Sequence, residues 1–217
     1  ALRPERREFD LYETLRWTPG EGFWLLEGHL RRIERSALFF GFAFDPRRAR
    51  EALEAAAREF PPDEMRRARL FVSRSGACRV EPSALAPEAL TFGPLALAAA
   101  PVDRQDVFLY HKTTLRGVYE TAHARRPPEA ADVLLYNEEG EITESTVANV
   151  AVELEGALCT PPVRCGLLGG VFRAGLLERG EAVERVIRIE EALASPAVYL
   201  MNSVRGMSKT RLLPPEK

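Results

Sequence analysis

The sequence has few of the residues that build disulfides and metal centres. Its 217 residues include three cysteines, Cys78, Cys159 and Cys165, and only three histidines. An odd number of cysteines without C-x-x-C spacing excludes a disulfide framework and the usual zinc patterns. This usage indicates a reducing compartment. The shortage of histidine also argues against a metal centre, so we expect no bound metal.

Long apolar runs and an excess of one charge are missing as well. No apolar run approaches the eighteen or so residues that a membrane-spanning helix requires. The first residues show no signal-peptide pattern. The net charge of -2 gives no electrostatic reason to expect nucleic acid or a membrane surface as a partner. We therefore expect a cytoplasmic protein that binds small molecules.

The remaining composition is that of an ordinary folded protein. Hydrophobic residues make up 46% and charged residues 29% of the chain. The length allows one or two small domains with a substantial core. The pattern of predicted elements shifts after Pro101. We therefore expect an N-terminal α/β domain over residues 1–100 and a C-terminal domain over residues 101–217.

Hydrophobic periodicity and turn residues predict the individual elements. Alternating or apolar runs predict strands over 9–17, 23–26, 67–73, 90–99, 107–114, 131–136, 144–153, 157–160 and 197–202. Helical periodicity predicts helices over 28–40, 46–60, 114–125 and from about 169 to 178. Asp45 and Pro46 are typical of a helix start, and Gly41 and Gly180 of helix ends. The prolines at 82 and 87 predict a loop.

Lys112 stands out because it lies in an apolar segment. The run Val107–Thr114 carries large apolar residues and predicts a strand. An ammonium at its end would be poorly solvated, which lowers the lysine pKa. A free amine at neutral pH can form a Schiff base with a carbonyl. The alternative is an ammonium that simply reaches water at a strand end. Lysine is scarce, since Lys209 and Lys217 are the only others.

Glu144 poses a similar question in a second strand-like run, Ile142–Val152. Alternation along one strand would place Glu144 on the same side as Ala148 and Val150. A carboxylate on an apolar face needs a cationic or hydrogen-bonding partner, or it stays protonated. One alternative is a structural ion pair with Lys112. The other is a cofactor between them, and pyridoxal phosphate (PLP) offers an aldehyde for a lysine and a ring nitrogen for an acid.

Three further positions are able to bind a phosphate. The pair Gly169-Gly170 begins a predicted helix, where backbone N–H groups and the helix dipole favour an anion. Arg32 lies on a polar stripe of the first predicted helix and offers a charge-assisted contact. Ser203 supplies a hydroxyl just after the last predicted strand. Each feature is also common in proteins without such a ligand, where it marks an ordinary helix start or a solvated side chain.

Four features, in order along the chain, resemble motifs of the class IV aminotransferase family, the fold-type IV PLP enzymes. They are His29–Ser36, Lys112, Glu144–Asn149, and Thr160–Pro162 followed by Gly166–Arg173. Known members include branched-chain and D-amino acid aminotransferases and aminodeoxychorismate lyase. The resemblance implies an α+β, two-domain fold like that of D-amino acid aminotransferase. Its N-terminal α/β domain would be the smaller one, and a β-barrel-like C-terminal domain with helices would bind the cofactor.

The resemblance also implies roles for individual residues. Lys112 matches the family's Schiff-base lysine, and Glu144 matches the glutamate that meets the pyridine nitrogen; these two are the expected catalytic residues. Gly117 stands where branched-chain enzymes usually carry a tyrosine, so Tyr119 is expected to contact the phenolic oxygen instead. The expected cofactor-binding residues are Arg32, Lys112, Tyr119, Glu144, Val171, Phe172 and Ser203, with Val171 and Phe172 acting through backbone N–H groups.

Two segments, His111–Arg116 and Asn202–Met207, most resemble the lyase half of bifunctional aminodeoxychorismate synthase–lyase proteins. We therefore expect a lyase that converts 4-amino-4-deoxychorismate into pyruvate and the folate precursor 4-aminobenzoate. In this reaction the Lys112 amine would remove the C4 proton, and pyruvate would leave from C3. The residues expected to contact the substrate are Tyr12, Thr14, Arg116 and Arg205.

Other functions stay open at this point. An aminotransferase for branched-chain or D-amino acids shares every cofactor residue. An inactive cofactor-binding domain or an interaction module of a synthase is a further alternative, although the presence of both Lys112 and Glu144 argues against it. The family implies a homodimer. The short segment before Phe9 also leads us to expect a domain derived from a synthase fusion, or one with a synthase partner.

Overall fold

The computed structural model describes residues 8–214, which form two β-sheets with helices packed against them. The first sheet has four antiparallel strands in the order β2-β1-β3-β4. Its strands are β1 Leu11–Thr18, β2 Gly22–Phe23, β3 Arg66–Val72 and β4 Cys78–Ala84, and its helices are α1 Leu26–Phe40 and α2 Pro46–Ala57. Leu11, Leu15 and Leu70 are fully buried between this sheet and its helices.

Local signals set both ends of these helices. Gly41 ends α1 in the left-handed conformation with φ 67°, which glycine adopts without steric cost. Asp45 precedes α2, where its side chain accepts a hydrogen bond from the N–H of Arg47, and Pro46 is the first helical residue. Both predicted helix starts lie within two residues of the observed ones, whereas α2 ends three residues before the predicted end at residue 60.

The second sheet joins eight strands from the rest of the chain. Its central order is β10-β9-β8-β7-β6-β5, with β11 paired to β8 and to β12. The strands are β5 Leu95–Leu97, β6 Asp132–Tyr136, β7 Ile142–Ser145, β8 Asn149–Leu154, β9 Ala157–Thr160, β10 Val183–Glu184, β11 Val198–Asn202 and β12 Gly206–Thr210. The helices of this part are α3 Gly117–Ala124, α4 Val171–Glu178 and α5 Ile189–Ala194. The division into domains at residue 100 stays a prediction.

Two predictions for the first half of the chain were wrong. The prolines at 82 and 87 predicted a loop, yet β4 continues through Pro82. Because β4 is an edge strand, the missing N–H of Pro82 need not interrupt the sheet. The strand predicted over 90–99 shrinks to Leu95–Leu97, since a short 3-10 helix occupies Pro87–Leu90. Within residues 8–214, no helix has the length and apolar character needed to cross a membrane.

Candidate active site

One cavity of about 470 Å³ brings together almost all of the predicted site residues. Its walls come from β1 and β3 of the first sheet, from the start of α4 and from the loops that follow β7 and β11. The predicted residues that line it are Tyr12, Thr14, Arg32, Lys112, Arg116, Tyr119, Glu144, Val171, Ser203 and Arg205. Phe172 is the exception, because it does not line the cavity and its ring lies 5.4 Å from that of Trp24.

The strand predicted around Lys112 is wrong. Val107–Leu109 forms a 3-10 helix, which begins where the Asp106 side chain accepts a hydrogen bond from the N–H of Phe108. After this turn the chain straightens and runs along β1. The Lys112 carbonyl accepts a hydrogen bond of 3.0 Å from the N–H of Tyr12. Backbone pairing with β1 therefore fixes the position of Lys112.

The surroundings of the Lys112 amine favour its neutral form. Burial lowers the pKa of Lys112, and the nearby positive charge of Arg32 adds to this effect, while Tyr12 opposes it. The Nζ atom lies 4.5 Å from the centre of the Tyr12 ring. The Tyr12 hydroxyl accepts a hydrogen bond of 3.1 Å from Arg116. Burial alone would raise the pKa of Tyr12, but Lys112 and Arg116 together hold it below its ordinary value.

Glu144 is buried as expected, but for a different structural reason. The run Ile142–Val152 is not one strand, because β7 ends at Ser145 and the chain turns before β8 begins at Asn149. The turn pairs Glu144 directly with Asn149 across the two strands. Directly paired residues share one face of a sheet, so Glu144 lies on the side opposite Val150. The placement beside Val150 that alternation predicted was therefore wrong.

Three hydrogen bonds hold the Glu144 carboxylate in the cavity. They come from the Tyr119 hydroxyl at 2.8 Å, the Asn149 amide at 3.1 Å and the backbone N–H of Leu168 at 3.1 Å. Glu144 is only 5% exposed, and burial raises its pKa to about 7 despite these donors. A cation beside this carboxylate would lower its pKa and favour the charged form.

Lys112 does not supply that cation. In the described part of the chain, no ion pair joins Lys112 and Glu144, and the lysine amine lies over Tyr12 instead. The structural ion pair between the two residues is therefore not what places them in the cavity. Lys112 and Glu144 line the same cavity and remain separately available to a ligand.

A buried ion network lies behind the cavity wall and was not predicted from the sequence. Glu13 in β1 accepts hydrogen bonds from Arg32 at 2.6 and 2.8 Å and lies 2.7 Å from Nδ1 of His29. Burial alone would raise the pKa of Glu13, but Arg32 and His29 hold it at about 2. Glu13 lies on the same face of β1 as the core residues Leu11 and Leu15. The same pattern that singled out Glu144 could have identified it.

This network fixes Arg32 without using all of its donors. The third hydrogen bond of the guanidinium, at 3.2 Å, goes to the Gly169 carbonyl just before α4. A guanidinium has five N–H donors. Three of them bond Glu13 and the Gly169 carbonyl, and the other two remain available. Arg32 lines the cavity and is therefore able to bind an anion there.

Close contacts at the start of α4 explain its glycines. A Cβ atom on Gly170 would lie 1.9 Å from the Oδ1 atom of Asn149, and one on Gly28 would lie 2.4 Å from a Val171 methyl group. Glycine is therefore required where the helix start meets Asn149 and α1. The N–H groups of this first turn have no acceptor within the helix. Gly170 and Val171 line the cavity together with Arg32, which bonds the Gly169 carbonyl.

The cavity also contains residues that the sequence did not single out. Asn149 belongs to a recognised motif, but its two bonds, to Glu144 and to the Leu168 carbonyl, depend on the turn after β7. Arg67 and Arg69 lie on β3 and face the same cavity. Their alternate spacing on a strand is a sequence signal for a shared face, but it does not indicate what that face contacts.

Comparison with known proteins identifies the family. The family model of class IV aminotransferases ("Amino-transferase class IV") matches residues 10–212. The chain belongs to this family. Its members are PLP-dependent enzymes, so this class IV protein is one as well, and the fold predicted from the sequence is confirmed.

Similar proteins carry two kinds of name. A Schizosaccharomyces pombe protein named "Putative aminodeoxychorismate lyase" is 32% identical, over 97% of this chain and 93% of its own length. A Mesorhizobium loti structure described as a "Putative amino-acid aminotransferase" is 37% identical, with a TM-score of 0.89 over 95% of this chain and 100% of its own. The Pseudomonas aeruginosa 4-amino-4-deoxychorismate lyase structure has a TM-score of 0.78 at 23% identity, over 100% and 89% of the two chains, and shows the shared fold.

The residues of the cavity fit PLP on two observations. Glu144 is a buried carboxylate with a raised pKa, as expected of a group that awaits a cationic partner such as a protonated ring nitrogen. Arg32 retains free donors beside the glycine-lined start of α4, as expected of a phosphate site. Lys112 lines the same cavity and offers an amine with a lowered pKa.

Proposed function

We propose that this class IV enzyme is a 4-amino-4-deoxychorismate lyase that releases pyruvate and forms 4-aminobenzoate, a folate precursor. The observation that carries this proposal is the charge of the cavity wall. Its arginines are Arg32, Arg67, Arg69, Arg116 and Arg205, against the two carboxylates of Glu120 and Glu144. A substrate with two carboxylates matches this wall. A branched-chain amino acid has one carboxylate and an apolar side chain, which would leave most of these cations without a partner.

In this proposal each end of the cofactor has its own binding group. Arg32 and the first-turn N–H groups of Val171 and Phe172 would hold the phosphate, with the Ser203 hydroxyl beside them. Glu144 would keep a proton on the ring nitrogen, and Tyr119 and Asn149 would orient that carboxylate through their hydrogen bonds. When bound, PLP supplies an aldehyde for covalent attachment and a ring that accepts electrons.

Lys112 would move the proton in the reaction. Its lowered pKa favours the neutral amine, which is the form that accepts the C4 proton of the substrate. The bond between C3 and the enolpyruvyl oxygen then breaks, and its electron pair leaves with the oxygen as the enolate of pyruvate, which takes up one proton to become pyruvate. The electrons of the former C4–H bond form the C3–C4 double bond, and the ring becomes aromatic as 4-aminobenzoate. Arg116 would bind one substrate carboxylate near this centre, because it already contacts Tyr12 beside the lysine.

A reconstituted assay tests the reaction type. The holoenzyme, a partner synthase, chorismate and glutamine should give 4-aminobenzoate and pyruvate in equal amounts, with little transfer of amino groups to 2-oxo acids. The same holoenzyme with Lys112→Ala should give neither product. Amino-group transfer to 2-oxo acids without lyase activity would support the alternative, an aminotransferase for branched-chain or D-amino acids, which the M. loti relative favours.

A further inference from the structure

The guanidinium groups of Arg67 and Arg205 converge on the cavity from different sheets. Arg67 lies on β3, and its Nε atom donates a hydrogen bond of 3.1 Å to the Ser83 hydroxyl of β4. Arg205 follows β11, where its guanidinium lies 4.8 Å from the centre of the Phe92 ring and donates to the Thr91 carbonyl at 3.3 Å. Both side chains are partly buried and line the cavity. Each is therefore anchored at its back and faces the same space.

These two cations have no anionic partner of their own. Within residues 8–214, none of the ion pairs includes Arg67 or Arg205. Burial lowers the pKa of Arg205, and the positive charge of Arg67 lowers it further. Asp132 offsets part of this effect without forming an ion pair with Arg205. Its Oδ1 atom accepts hydrogen bonds from Thr146 and the N–H of Val133 and lies 3.4 Å from Nδ1 of His123, and its Oδ2 atom has no hydrogen-bond partner among the described residues.

The neighbouring cation Arg69 differs from this pair. Arg69 lies on the same face of β3 as Arg67 and is paired with Thr14 of β1. Its side chain is exposed, however, and on the other side of β3 it is paired with Glu81 of β4. Arg116 differs too, because it bonds Tyr12 and the Thr146 carbonyl near Lys112. Arg67 and Arg205 are thus the two anchored guanidiniums of this cavity that have no ion-pair partner within residues 8–214 and lie near enough for the charge of one to lower the pKa of the other.

We infer that Arg67 and Arg205 form a split carboxylate subsite that binds the end of the substrate opposite its amino group. The inference rests on the proposed function, in which Lys112 accepts the proton of C4, the ring carbon that carries the amino group. With C4 beside Lys112, the opposite end of the six-membered ring lies away from that residue. In aminodeoxychorismate this far end carries the ring carboxylate, and Arg116 would then meet the enolpyruvyl carboxylate. The substrate class is a ring with an amino group and a carboxylate at opposite positions.

Two ligands of nearly equal shape test the subsite. The probes are 4-aminobenzoate and its uncharged analogue 4-aminobenzamide, titrated into the holoenzyme by calorimetry. We expect the acid to bind about 10- to 100-fold more tightly than the amide, the usual contribution of charged hydrogen bonds. Arg67→Gln and Arg205→Gln should each reduce the affinity for the acid toward that for the amide and leave the affinity for the amide unchanged.

The double variant and a control sharpen the result. Because both arginines would bind one carboxylate, the loss in Arg67→Gln/Arg205→Gln should be smaller than the product of the two single losses. Arg66→Gln removes a charge from the same strand, but Arg66 pairs with Glu64 and does not line the cavity, so it should bind both ligands like the wild type. Arg205→Lys keeps the charge without the planar fork and should give an intermediate affinity.

The outcomes separate the subsite from the reaction. Unchanged discrimination between acid and amide in both single variants would overturn the subsite even if the lyase reaction is observed. The same holds if 4-aminobenzoate does not bind. Loss of discrimination in the variants of a holoenzyme without lyase turnover would support the subsite and reject the proposed reaction. Thermal melts of each variant check that the fold is retained.

Discussion

The amine of Lys112 is the group whose chemistry can be tested most directly at the scale of a residue. Borohydride reduction of the holoenzyme should remove its near-visible absorbance and leave the cofactor attached to the peptide that contains Lys112. Lys112 is the expected site because its lowered pKa favours the neutral amine that forms a Schiff base with the cofactor aldehyde. Lys209 is exposed on β12 and serves as an internal control. Peptide mass spectrometry that finds the adduct on Lys209, or no adduct, would contradict the prediction.

Glu144 gives a second prediction at this scale, for the protein without cofactor. Its pKa in the folded state is about 7, against an ordinary value of 4.5. The folded state therefore binds the Glu144 proton more tightly than the unfolded state does. This proton stabilises the fold fully at pH values below 4.5, and the stabilisation is lost as the pH rises through 7. Since each pKa unit corresponds to about 1.4 kcal/mol, the wild type should lose about 3 kcal/mol relative to Glu144→Gln between pH 4.5 and pH 8.

Urea unfolding of both cofactor-free proteins at several pH values measures this difference. Other titrating groups, such as Glu13 and His29, are present in both proteins and cancel. Glu144→Gln should also bind PLP and lose much of its turnover, because an amide holds the ring proton poorly. If a buried ion pair with Lys112 were the role of Glu144, the variant would instead lose roughly 3–5 kcal/mol of stability at neutral pH and keep its turnover at permissive temperature.

At the scale of elements, the junction of β1 with α1 depends on Glu13. Glu13→Gln removes one partner of a buried ion network, and we expect a loss on the order of 3–5 kcal/mol in unfolding free energy together with weaker PLP binding. The pKa of Glu13 is about 2, below its ordinary value of 4.5. The ionised carboxylate therefore contributes its full stabilisation of the fold at pH values above 4.5, and this stabilisation is lost as the pH falls toward 2.

Glu27→Gln is the matched control for this prediction. Glu27 lies near the start of α1, and its ion pair with Arg50 is solvent exposed. Exposed pairs contribute about 0–1 kcal/mol, so this variant should retain both stability and PLP affinity. Equal PLP affinity of Glu13→Gln and the wild type, measured by fluorescence titration of the cofactor-free proteins, would show that Glu13 does not position Arg32.

The start of α4 provides a further prediction at this scale. In Gly170→Ala the new methyl group would displace Asn149, which bonds both Glu144 and the Leu168 carbonyl. We expect a stability loss of about 1–3 kcal/mol and, since Glu144 loses its orientation, a loss of turnover on the order of 100-fold. Steady-state kinetics and thermal melts measure the two effects.

Gly169→Ala is the control for the α4 prediction. A Cβ atom on Gly169 meets only a Val163 methyl group at 3.7 Å, which is ordinary contact. The residue is adjacent in sequence and receives the same methyl group, so it should remain close to the wild type in both measurements. Similar losses in the two variants would mean that the contact with Asn149 is not the cause.

For the whole molecule, we predict a homodimer. The family resemblance implies that each active site lies near a subunit interface. The described surface also carries large apolar side chains, since Leu38 is 85% and Phe39 59% exposed, which is typical of interaction sites when such residues cluster. Sedimentation at micromolar concentration should give about twice the chain mass of 24.2 kDa. A stable and active monomer would disprove the prediction.

Features that depend on neighbouring residues could be predicted from the sequence alone. Gly41 and the Asp45-Pro46 pair determine where α1 ends and α2 begins, because capping acts over a few residues. Lys112 and Glu144 were recognisable as unusual because a charge within an apolar segment is costly wherever that segment folds. The family could also be predicted, because the order of its motifs along the chain can be read without knowing which residues are in contact.

Contacts between distant segments were decided by the tertiary structure. Lys112 is positioned by backbone pairing with β1, about 100 residues earlier in the chain. Because the chain turns after Ser145, Glu144 lies beside Asn149 and not beside Val150, as alternation along one strand had predicted. Arg67 and Arg205 line one cavity only because residues of both sheets enclose it. Periodicity reports which face a side chain shares, but the partner across that face depends on packing between elements, which local sequence does not encode.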